Sequence, residues 1–208
     1  MPKGKKHKLA KEEPLEHIEG SFGIVACDLS LHYPGFAYLY YDADTRTVSI
    51  EKVRGVETKK GTRKPHGQIL ADIANGFADF IAKKDVAVLV RERAFSRFNA
   101  EVQALNKVVG VVEMIAWQVK EDKFQEITPA AVKLTVTGSG HADKQDVADA
   151  IHNYVDYVPE MKSDNESDAA AVGIAWLIKN GYLEQKSLEK YMDSKEKSVE
   201  KSTGRKGK

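Results

Sequence analysis

The sequence has little cysteine and no long apolar run. Of its 208 residues only Cys27 is a cysteine, which excludes a disulfide framework and any zinc site built from several cysteines. No stretch approaches the roughly 18 consecutive apolar residues that a membrane span needs, and the first twenty residues lack the apolar core of a signal peptide. We therefore expect a soluble, cytoplasmic protein with one main domain and no membrane partner.

Two common catalytic patterns are also absent. The six histidines have neither HxH nor HExxH spacing, which argues against a zinc hydrolase. Gly138 and Gly140 are not followed by the Lys-Ser/Thr pair of a P-loop, and the third glycine of a dinucleotide motif is missing. This segment is therefore predicted to be a turn and not a nucleotide cradle.

Charge of neither sign is in excess, because 32 lysines and arginines face 31 aspartates and glutamates, for a net charge of +1. That balance argues against a nucleic-acid partner, whose usual footprint is a basic surface. The distribution is uneven, however, since basic clusters occupy residues 1–11, 52–64 and 186–208. These clusters either place positive charge against phosphates or are solvated ends and loops, and both interpretations stay open.

Three strand patterns follow one another near the N-terminus. Residues 22–27 (FGIVAC), 36–41 (FAYLYY) and 47–53 are short apolar or alternating runs separated by turn residues, so they predict an antiparallel meander. A fourth run, Val86–Val90, is apolar without interruption and is typical of a strand buried on both faces. Phe124–Ile127 predicts a short fifth strand.

Helical spacing predicts the remaining elements. Apolar residues recur every three or four positions from Gly67 to Ile81 and within 99–119, 143–154 and 164–178, and Thr128-Pro129 is typical of a helix start. The expected fold is α/β, with a mixed five-stranded sheet of three antiparallel strands plus parallel strands and helices on both faces. We divide the chain into a basic N-terminal arm (1–20), one domain (21–183) and a charged, disordered tail (184–208).

The helix predicted over Asn99–Val119 carries two apolar stripes. One is an a/d seam, and the other lies beside it; they consist of Val102, Leu105, Val109, Val112, Ala116 and Val119, and of Val108, Val111 and Ile115. One stripe could cover the sheet while the other meets a partner helix, which Gly110 would allow to approach closely. Both stripes could equally lie in one monomeric core.

Three acids stand where predicted strands and helices end. Asp28 ends the first strand, Glu92 follows the buried strand, and Asp168 lies beside the apolar stripe of the last helix. If these two strands are parallel neighbours, their acids emerge at one sheet edge, across which the last helix could pack. Three such oxygen ligands suit Mg²⁺ or Mn²⁺, and two such ions can catalyse phosphodiester hydrolysis. Each acid taken alone is explained at least as well as a cap or turn residue.

The order of these motifs resembles the RNase H-like nuclease superfamily and, within it, the RuvC-type Holliday-junction resolvases, in a phage or prophage-like form. Residues 25–30 (VACDLS) are similar to the family's first catalytic strand, and residues 90–95 (VRERAF) to its second acidic motif. Residues 131–140 (AVKLTVTGSG) with 142–144 (ADK) resemble the basic segment near the scissile strand, and residues 167–171 (SDAAA) resemble the closing acidic motif. The resemblance covers most of residues 22–180.

The resemblance implies a homodimeric endonuclease that nicks four-way DNA junctions symmetrically. It implies Mg²⁺ as the cofactor, with Mn²⁺ able to substitute, and dimerisation through the Asn99–Val119 helix. The residues that match the family's motifs are the catalytic, metal-binding carboxylates Asp28, Glu92 and Asp168, the catalytic and DNA-binding lysines Lys133 and Lys144, and the DNA contacts Phe95, Arg93 and Arg97, with Phe98 as a second aromatic candidate.

One position departs from the family's pattern. The family usually has a fourth acid three residues before the last aspartate, where this sequence has Asn165. Either Asp164 substitutes as a metal ligand, because it lies one turn before Asp168 on the same helix face, or Asn165 binds the metal through its amide oxygen. The sequence leaves the fourth ligand open between these two residues.

Two other functions also stay open at this point. The same fold could cut other branched DNA, such as flaps or replication forks, or RNA–DNA hybrids. Alternatively, the loss of the fourth acid at Asn165 could leave a catalytically weak or inactive protein that only binds junctions.

Overall fold

A computed structural model describes residues 17–58, 64–93, 99–120 and 124–189. Its elements, in chain order, are β1 Phe22–Asp28, β2 Gly35–Asp42, β3 Thr47–Gly55, α1 His66–Ile81, β4 Val88–Glu92, α2 Asn99–Lys120, β5 Gln125–Ile127, α3 Pro129–Thr137, α4 Lys144–Ile151 and α5 Asp164–Lys179. None of these helices is long and apolar enough to cross a membrane. Most of the arm (1–20) and of the tail (184–208) lies outside the described residues, so the division of the chain stays a prediction.

The strands form one mixed sheet in the order β3-β2-β1-β4-β5. β2 pairs antiparallel with β1 and β3, whereas β4 pairs parallel with β1 and β5. The predicted meander and the mixed five-stranded sheet are therefore confirmed. β1 and β4 lie at the centre, where both faces are covered, and every residue of these strands except the last of each is buried.

The fourth strand begins and ends two residues later than predicted, since β4 spans Val88–Glu92 and not Val86–Val90. Ala87 donates its N–H to the carbonyl of Gly23 at 2.9 Å while the chain is still approaching the sheet. The strand continues to Glu92 because β5 offers pairing there, with Glu92 beside Ile127. Backbone partners, which composition does not reveal, thus decide where this strand ends.

Helices cover both faces of the sheet, as predicted. α3, α4 and α5 share one core with the sheet, and α1 and α2 share the other. Side chains alternate along a strand, so Ile24 and Ala26 of β1 belong to the core beneath α5, whereas Val25 and Cys27 face α1 and α2.

Members of both predicted stripes of α2 pack on the same core, with Leu105, Val109 and Ile115 partly buried against it. The buried residues of α2, which combine members of both stripes at four-residue spacing, are Val108, Val112 and Ala116. Val119, at the end of the predicted seam, is 39% exposed. The exposed apolar face instead carries Met114 and Trp117, which are 51% and 63% exposed. Of the two alternatives, the structure favours the one in which both stripes lie in one core. Apolar residues occupy so much of this helix's circumference that further exposed ones remain outside both stripes.

The segment after α5 returns to the C-terminal end of α3. Leu188 donates its N–H to the carbonyl of Thr137 at 2.9 Å, and the side-chain amide of Gln185 donates to the carbonyls of Leu134 and Thr135. The last carbonyls of a helix have no partner within the helix. Residues 185–188 therefore cap α3 and support the turn that connects it to α4.

Candidate active site

Asp28 and Glu92 end two parallel strands at the same edge of the sheet. Ala26 of β1 pairs with Val90 of β4, and two residues further each strand ends at its acid. Ala26 and Val90 belong to the core beneath α5. Because side chains alternate along a strand, both carboxylates face α5.

α5 brings Asp168 to this edge. The helix lies directly on β1 and β2 at Gly173, where a Cβ would come within 2.6 Å of the Leu39 side chain and 3.2 Å of the Ala26 Cβ. This close packing anchors the helix, and Asp168, whose side chain is 22% exposed, lies five residues earlier. The negative charge of Asp168 raises the pKa of both strand-end acids, so the three predicted carboxylates share one site.

Burial and mutual repulsion make these acids hard to ionise. Burial raises the pKa of Asp28 to about 6, and the charge of Asp168 adds to this rise. Burial raises the pKa of Glu92 to about 7, with further contributions from Asp28 and Asp168. Burial also raises the pKa of Asp168, although Lys144 opposes it. Carboxylates with raised pKa values that gather in one place are typical of functional sites.

Lys144 places a positive charge beside Asp168. Its Nζ lies 3.4 Å from the carboxylate of Asp168 and 3.6 Å from that of Asp164. Burial lowers the pKa of Lys144, but the attraction of Asp168, Asp164 and Asp28 outweighs this and raises it overall. Lys144 starts α4 because Asp143 before it is the N-cap, in a reciprocal capping box.

Lys133 reaches the site from α3. Its Nζ donates a hydrogen bond to the carbonyl of Ala142 at 2.7 Å, which ties α3 to the turn before α4. The positive charge of Lys133 also lowers the pKa of Glu92, against the larger effect of burial. The structure thus brings both predicted lysines to the predicted carboxylates.

The chemistry of these donors fits a hard divalent cation. Three carboxylates are the ligands that Mg²⁺ and Mn²⁺ prefer, and a cation among them would relieve the repulsion that raises the pKa of Asp28 and Glu92. In the described part of the chain, however, no three histidine, cysteine, aspartate or glutamate side chains form a group that could hold a metal ion.

The two candidates for the fourth ligand differ in their surroundings. The side chain of Asp164 is 74% exposed and lies near Lys144. Asn165 donates its side-chain amide to the backbone carbonyl of Tyr33 and, at 3.4 Å, to Ser30 Oγ. Asn165 therefore has a partner in the loop that follows β1, which the sequence pattern did not indicate.

Arg93, one of the predicted DNA contacts, directly follows β4. The Nε of Arg93 lies 2.9 Å from Glu126 Oε2, and its side chain is 50% exposed. Phe95, Arg97 and Phe98 fall within residues 94–98, which lie outside the described residues. Contacts of these residues with DNA therefore stay predictions.

The sequence patterns did not single out Arg91, a buried arginine next to Glu92 on β4. Arg91 is 8% exposed, and its Nη2 lies 3.1 Å from Glu113 on α2 and 2.5 Å from Glu126 on β5. Because it alternates with Glu92 along β4, it faces α2 while the acid faces α5. A charge within an otherwise apolar central strand was the available signal, since such a charge must be paired when it is buried.

Comparison with known families decides the identity of the chain. The family model described as crossover junction endodeoxyribonuclease RuvC matches residues 24–176. The chain belongs to the RuvC family. This match includes all three carboxylates and both lysines of the site, and it confirms the family predicted from the sequence motifs. A phage or prophage-like origin stays a prediction.

Curated members of the RuvC family resemble the chain over most of their own length. The crossover junction endodeoxyribonuclease RuvC of Prochlorococcus marinus subsp. pastoris is 30% identical over 129 residues, which is 61% of this chain and 79% of that protein. Its counterpart in Clavibacter michiganensis subsp. michiganensis is 28% identical over 145 residues, which is 68% of this chain and 69% of that protein.

Solved structures of resolvases share the fold. RuvC of T. thermophilus in complex with Holliday junction substrate superposes with a TM-score of 0.66 at 17% identity, covering 74% of this chain and 92% of that one. The yeast mitochondrial Holliday junction resolvase superposes with a TM-score of 0.55 at 13% identity, covering 76% and 80%. The RNase H-like fold class of RuvC is thus confirmed.

Proposed function

We propose that the chain is a Mg²⁺-dependent endonuclease that resolves four-way DNA junctions by hydrolysing phosphodiester bonds. The observation that carries this proposal is the meeting of Asp28, Glu92 and Asp168 at one sheet edge, where burial and repulsion raise their pKa values. Membership of the RuvC family supports it, since the curated relatives are crossover junction endodeoxyribonucleases.

The three carboxylates would hold two Mg²⁺ ions, for which Mn²⁺ can substitute. Bound ions of this kind activate a water molecule and stabilise the leaving oxygen of a phosphodiester. The acids must be ionised for this task, and the lysines help, because Lys144 lowers the pKa of Asp28 and both Lys133 and Lys144 lower that of Glu92.

The two lysines would hold the phosphate that is cut. Lys144 is 64% exposed and ends beside Asp168, so its ammonium can exchange this carboxylate for a phosphate oxygen. Lys133 is held by the carbonyl of Ala142, which fixes its stem and leaves two N–H groups of its ammonium for phosphate. We assign DNA contacts to Arg93, Phe95 and Arg97 in addition.

We infer that the active form is a homodimer through α2, so that two sites can nick one junction symmetrically. The support is the exposed apolar face of this helix, where Met114 and Trp117 are 51% and 63% exposed. Gly110, one turn before Met114, has no atom within 4 Å of the position its Cβ would take. A second helix can therefore approach closely at this point.

Cleavage of a synthetic four-way junction tests the proposed function. Asp28→Asn and Glu92→Gln each keep the side-chain shape but remove a charged ligand, so we expect cleavage to fall at least ~100-fold, the upper end of what loss of an outer-sphere partner causes. Binding of the junction in a gel-shift assay should persist. Asp44→Asn is the matched control, because Asp44 is exposed in the turn between β2 and β3, at the opposite end of the sheet.

Each alternative gives a different result in the same assay. Full cleavage by Asp28→Asn or Glu92→Gln would overturn the assignment of the site. Flaps, forks and RNA–DNA hybrids are compared side by side with the junction. If one of them is cut faster, that structure and not the junction is the preferred substrate. A shifted band without product at any concentration of Mg²⁺ or Mn²⁺ would identify a junction-binding protein, the alternative raised by Asn165.

A further inference from the structure

The loop between β1 and β2 (residues 29–34) begins directly after Asp28 and is bonded to the first turn of α5. Asn165 donates its side-chain amide to the backbone carbonyl of Tyr33 and to Ser30 Oγ. Ser30 Oγ also accepts the N–H of Tyr33 at 3.1 Å. The side chain of Asn165 on α5 thus contacts Ser30 and Tyr33, which are joined to each other by a hydrogen bond across the turn.

Backbone packing holds the same two segments together. A Cβ on Gly35, where the loop enters β2, would collide with the backbone carbonyl of Asn165. Gly35 is also the residue of β2 that pairs with Asp28. Asn165 therefore lies against the strand end that carries Asp28, and three residues later on its own helix comes Asp168.

The hydrogen bond to the Tyr33 carbonyl requires a donor on Asn165. The Tyr33 carbonyl can only accept a hydrogen bond, so the group that faces it must be the amide nitrogen of Asn165 and not its oxygen. An ionised aspartate has the same shape but donates nothing. At this position it would set a carboxylate against a carbonyl and leave that carbonyl without its partner.

We propose that Asn165 is a positioning residue of the active site and not a fourth metal ligand. Its amide locks the loop that follows Asp28 to α5, and through this bond it fixes Asp28 relative to Asp168. This inference rests on the proposed nuclease function, since it names a residue that prepares the same site. It also explains why an amide can occupy this position in an active enzyme.

Two variants of Asn165 distinguish a positioning residue from a ligand. Asn165→Ala removes the amide, and Asn165→Asp replaces it with the acid that a ligand position would favour. We expect kcat for the junction to fall by ~10-fold or more in both, because small displacements of catalytic groups are costly, while KM changes little. The rise in Tm that Mg²⁺ causes should persist in Asn165→Ala, which keeps all three carboxylates, and should be clearly smaller in Asp28→Asn, which loses one.

Hydrogen–deuterium exchange provides the readout that does not depend on catalysis. Backbone amides of residues 29–34 should exchange faster in both variants, because the loop loses its bond to α5. Asn180→Asp is the matched control: Asn180 ends the same helix, and its side-chain amide donates to the carbonyl of Trp176 at 2.8 Å. This control loses an equivalent bond, so it should lower Tm without changing kcat or the exchange of the loop.

Several outcomes would overturn the proposal. If Asn165→Asp cuts faster than the original protein, or needs less Mg²⁺, the position is a ligand site. If Asn165→Ala keeps its kcat and its loop exchange, the bond has no positioning role. Should Asn165→Asp fail to fold, as circular dichroism would show, Asn165→Ala carries the test. If the original protein cuts no branched DNA, the proposed function fails, whereas faster loop exchange in the variants still supports the bond to α5.

Discussion

At the scale of single residues, the acids that form the site also weaken the metal-free fold. In the folded protein the pKa of Asp28 is about 6 and that of Glu92 about 7, well above the values of about 4 that carboxyl groups have in unfolded chains. Between these limits the folded state binds more protons than the unfolded state. The stability that this proton uptake contributes is complete below about pH 4 and is lost as the pH rises through 6 and 7.

We therefore expect Asp28→Asn to stabilise the metal-free protein, and to do so more at pH 8 than at pH 5. At pH 8 the original side chain is a repelled, ionised carboxylate, whereas at pH 5 it is mostly neutral like the asparagine. Thermal melts in the presence of a chelator should show a Tm about 2–4 °C higher at pH 8, as ~1 kcal/mol produces in a domain of this size. An equal shift at both pH values, or a shift of the same size in Asp44→Asn, would contradict the stated cause.

The residues of the site were predictable to different degrees. Asp28 and Glu92 could be found because each ends an apolar strand, and the end of such a strand can be recognised from a short sequence motif. The partners of Asn165 could not be found, since Ser30 and Tyr33 precede it by 135 and 132 residues. Periodicity reveals which face of a helix is apolar, but it does not indicate which distant backbone carbonyl a polar side chain will meet.

At the scale of elements, the turn between α3 and α4 determines where Lys144 lies. Gly138 ends α3 in the left-handed region, with φ of 90°, and a Cβ there would collide with Ser187 Oγ of the returning C-terminal segment. Gly140, two residues later in the same turn, has its nearest neighbour, the Ala130 carbonyl oxygen, 3.8 Å from the position of a Cβ. The two glycines thus meet very different constraints within one turn.

Gly138→Ala should accordingly destabilise the protein much more than Gly140→Ala. A left-handed conformation costs a residue with a side chain about 1–2 kcal/mol, and displacement of residues 185–188 from the end of α3 adds to this. Replacement of Gly140 should change the free energy of unfolding by no more than about 0.5 kcal/mol, as is usual for a substitution without strain. Urea unfolding of the two variants measures the difference, and equal losses would show that the strain and the collision at Gly138 do not matter.

The buried face of a helix was predictable where one apolar pattern dominated, and it was not predictable where several patterns competed. α1 buries Ile69, Ile73 and Phe77 at the predicted spacing, because its other faces are polar enough to leave one choice. α2 has apolar residues on several faces, so its orientation depends on contacts that its own sequence does not contain. One of these is the pairing of Glu113 with Arg91 at 3.1 Å, which joins the helix to β4.

At the scale of the whole molecule, the net charge of +1 is a poor guide to the partner. The site itself requires carboxylates, and these offset lysines and arginines elsewhere in the sum. The basic clusters lie mostly within residues 1–16, 59–63 and 190–208, outside the described residues, so their contact with DNA stays a prediction. What argues for nucleic acid is the local pairing of acids with Lys133 and Lys144, which a total over the chain conceals.

A single charge on the exposed face of α2 should break the proposed dimer. Trp117→Glu places a charge in the centre of the exposed apolar face of α2, where a second α2 would have to bury it without a partner, so association should weaken by at least ~100-fold, as for loss of a strong interface contact. Tyr157→Glu is the matched control, because Tyr157 is 73% exposed and lies outside α2.

Sedimentation equilibrium measures the outcome directly. The original chain and Tyr157→Glu should show twice the chain mass of 23.1 kDa, and Trp117→Glu should show the mass of one chain. Since each protomer carries a complete set of carboxylates, the monomeric variant should still nick a junction, but the two nicks should become uncoupled and accumulate one after the other. A monomeric original chain, or a dimeric Trp117→Glu, would remove α2 as the interface.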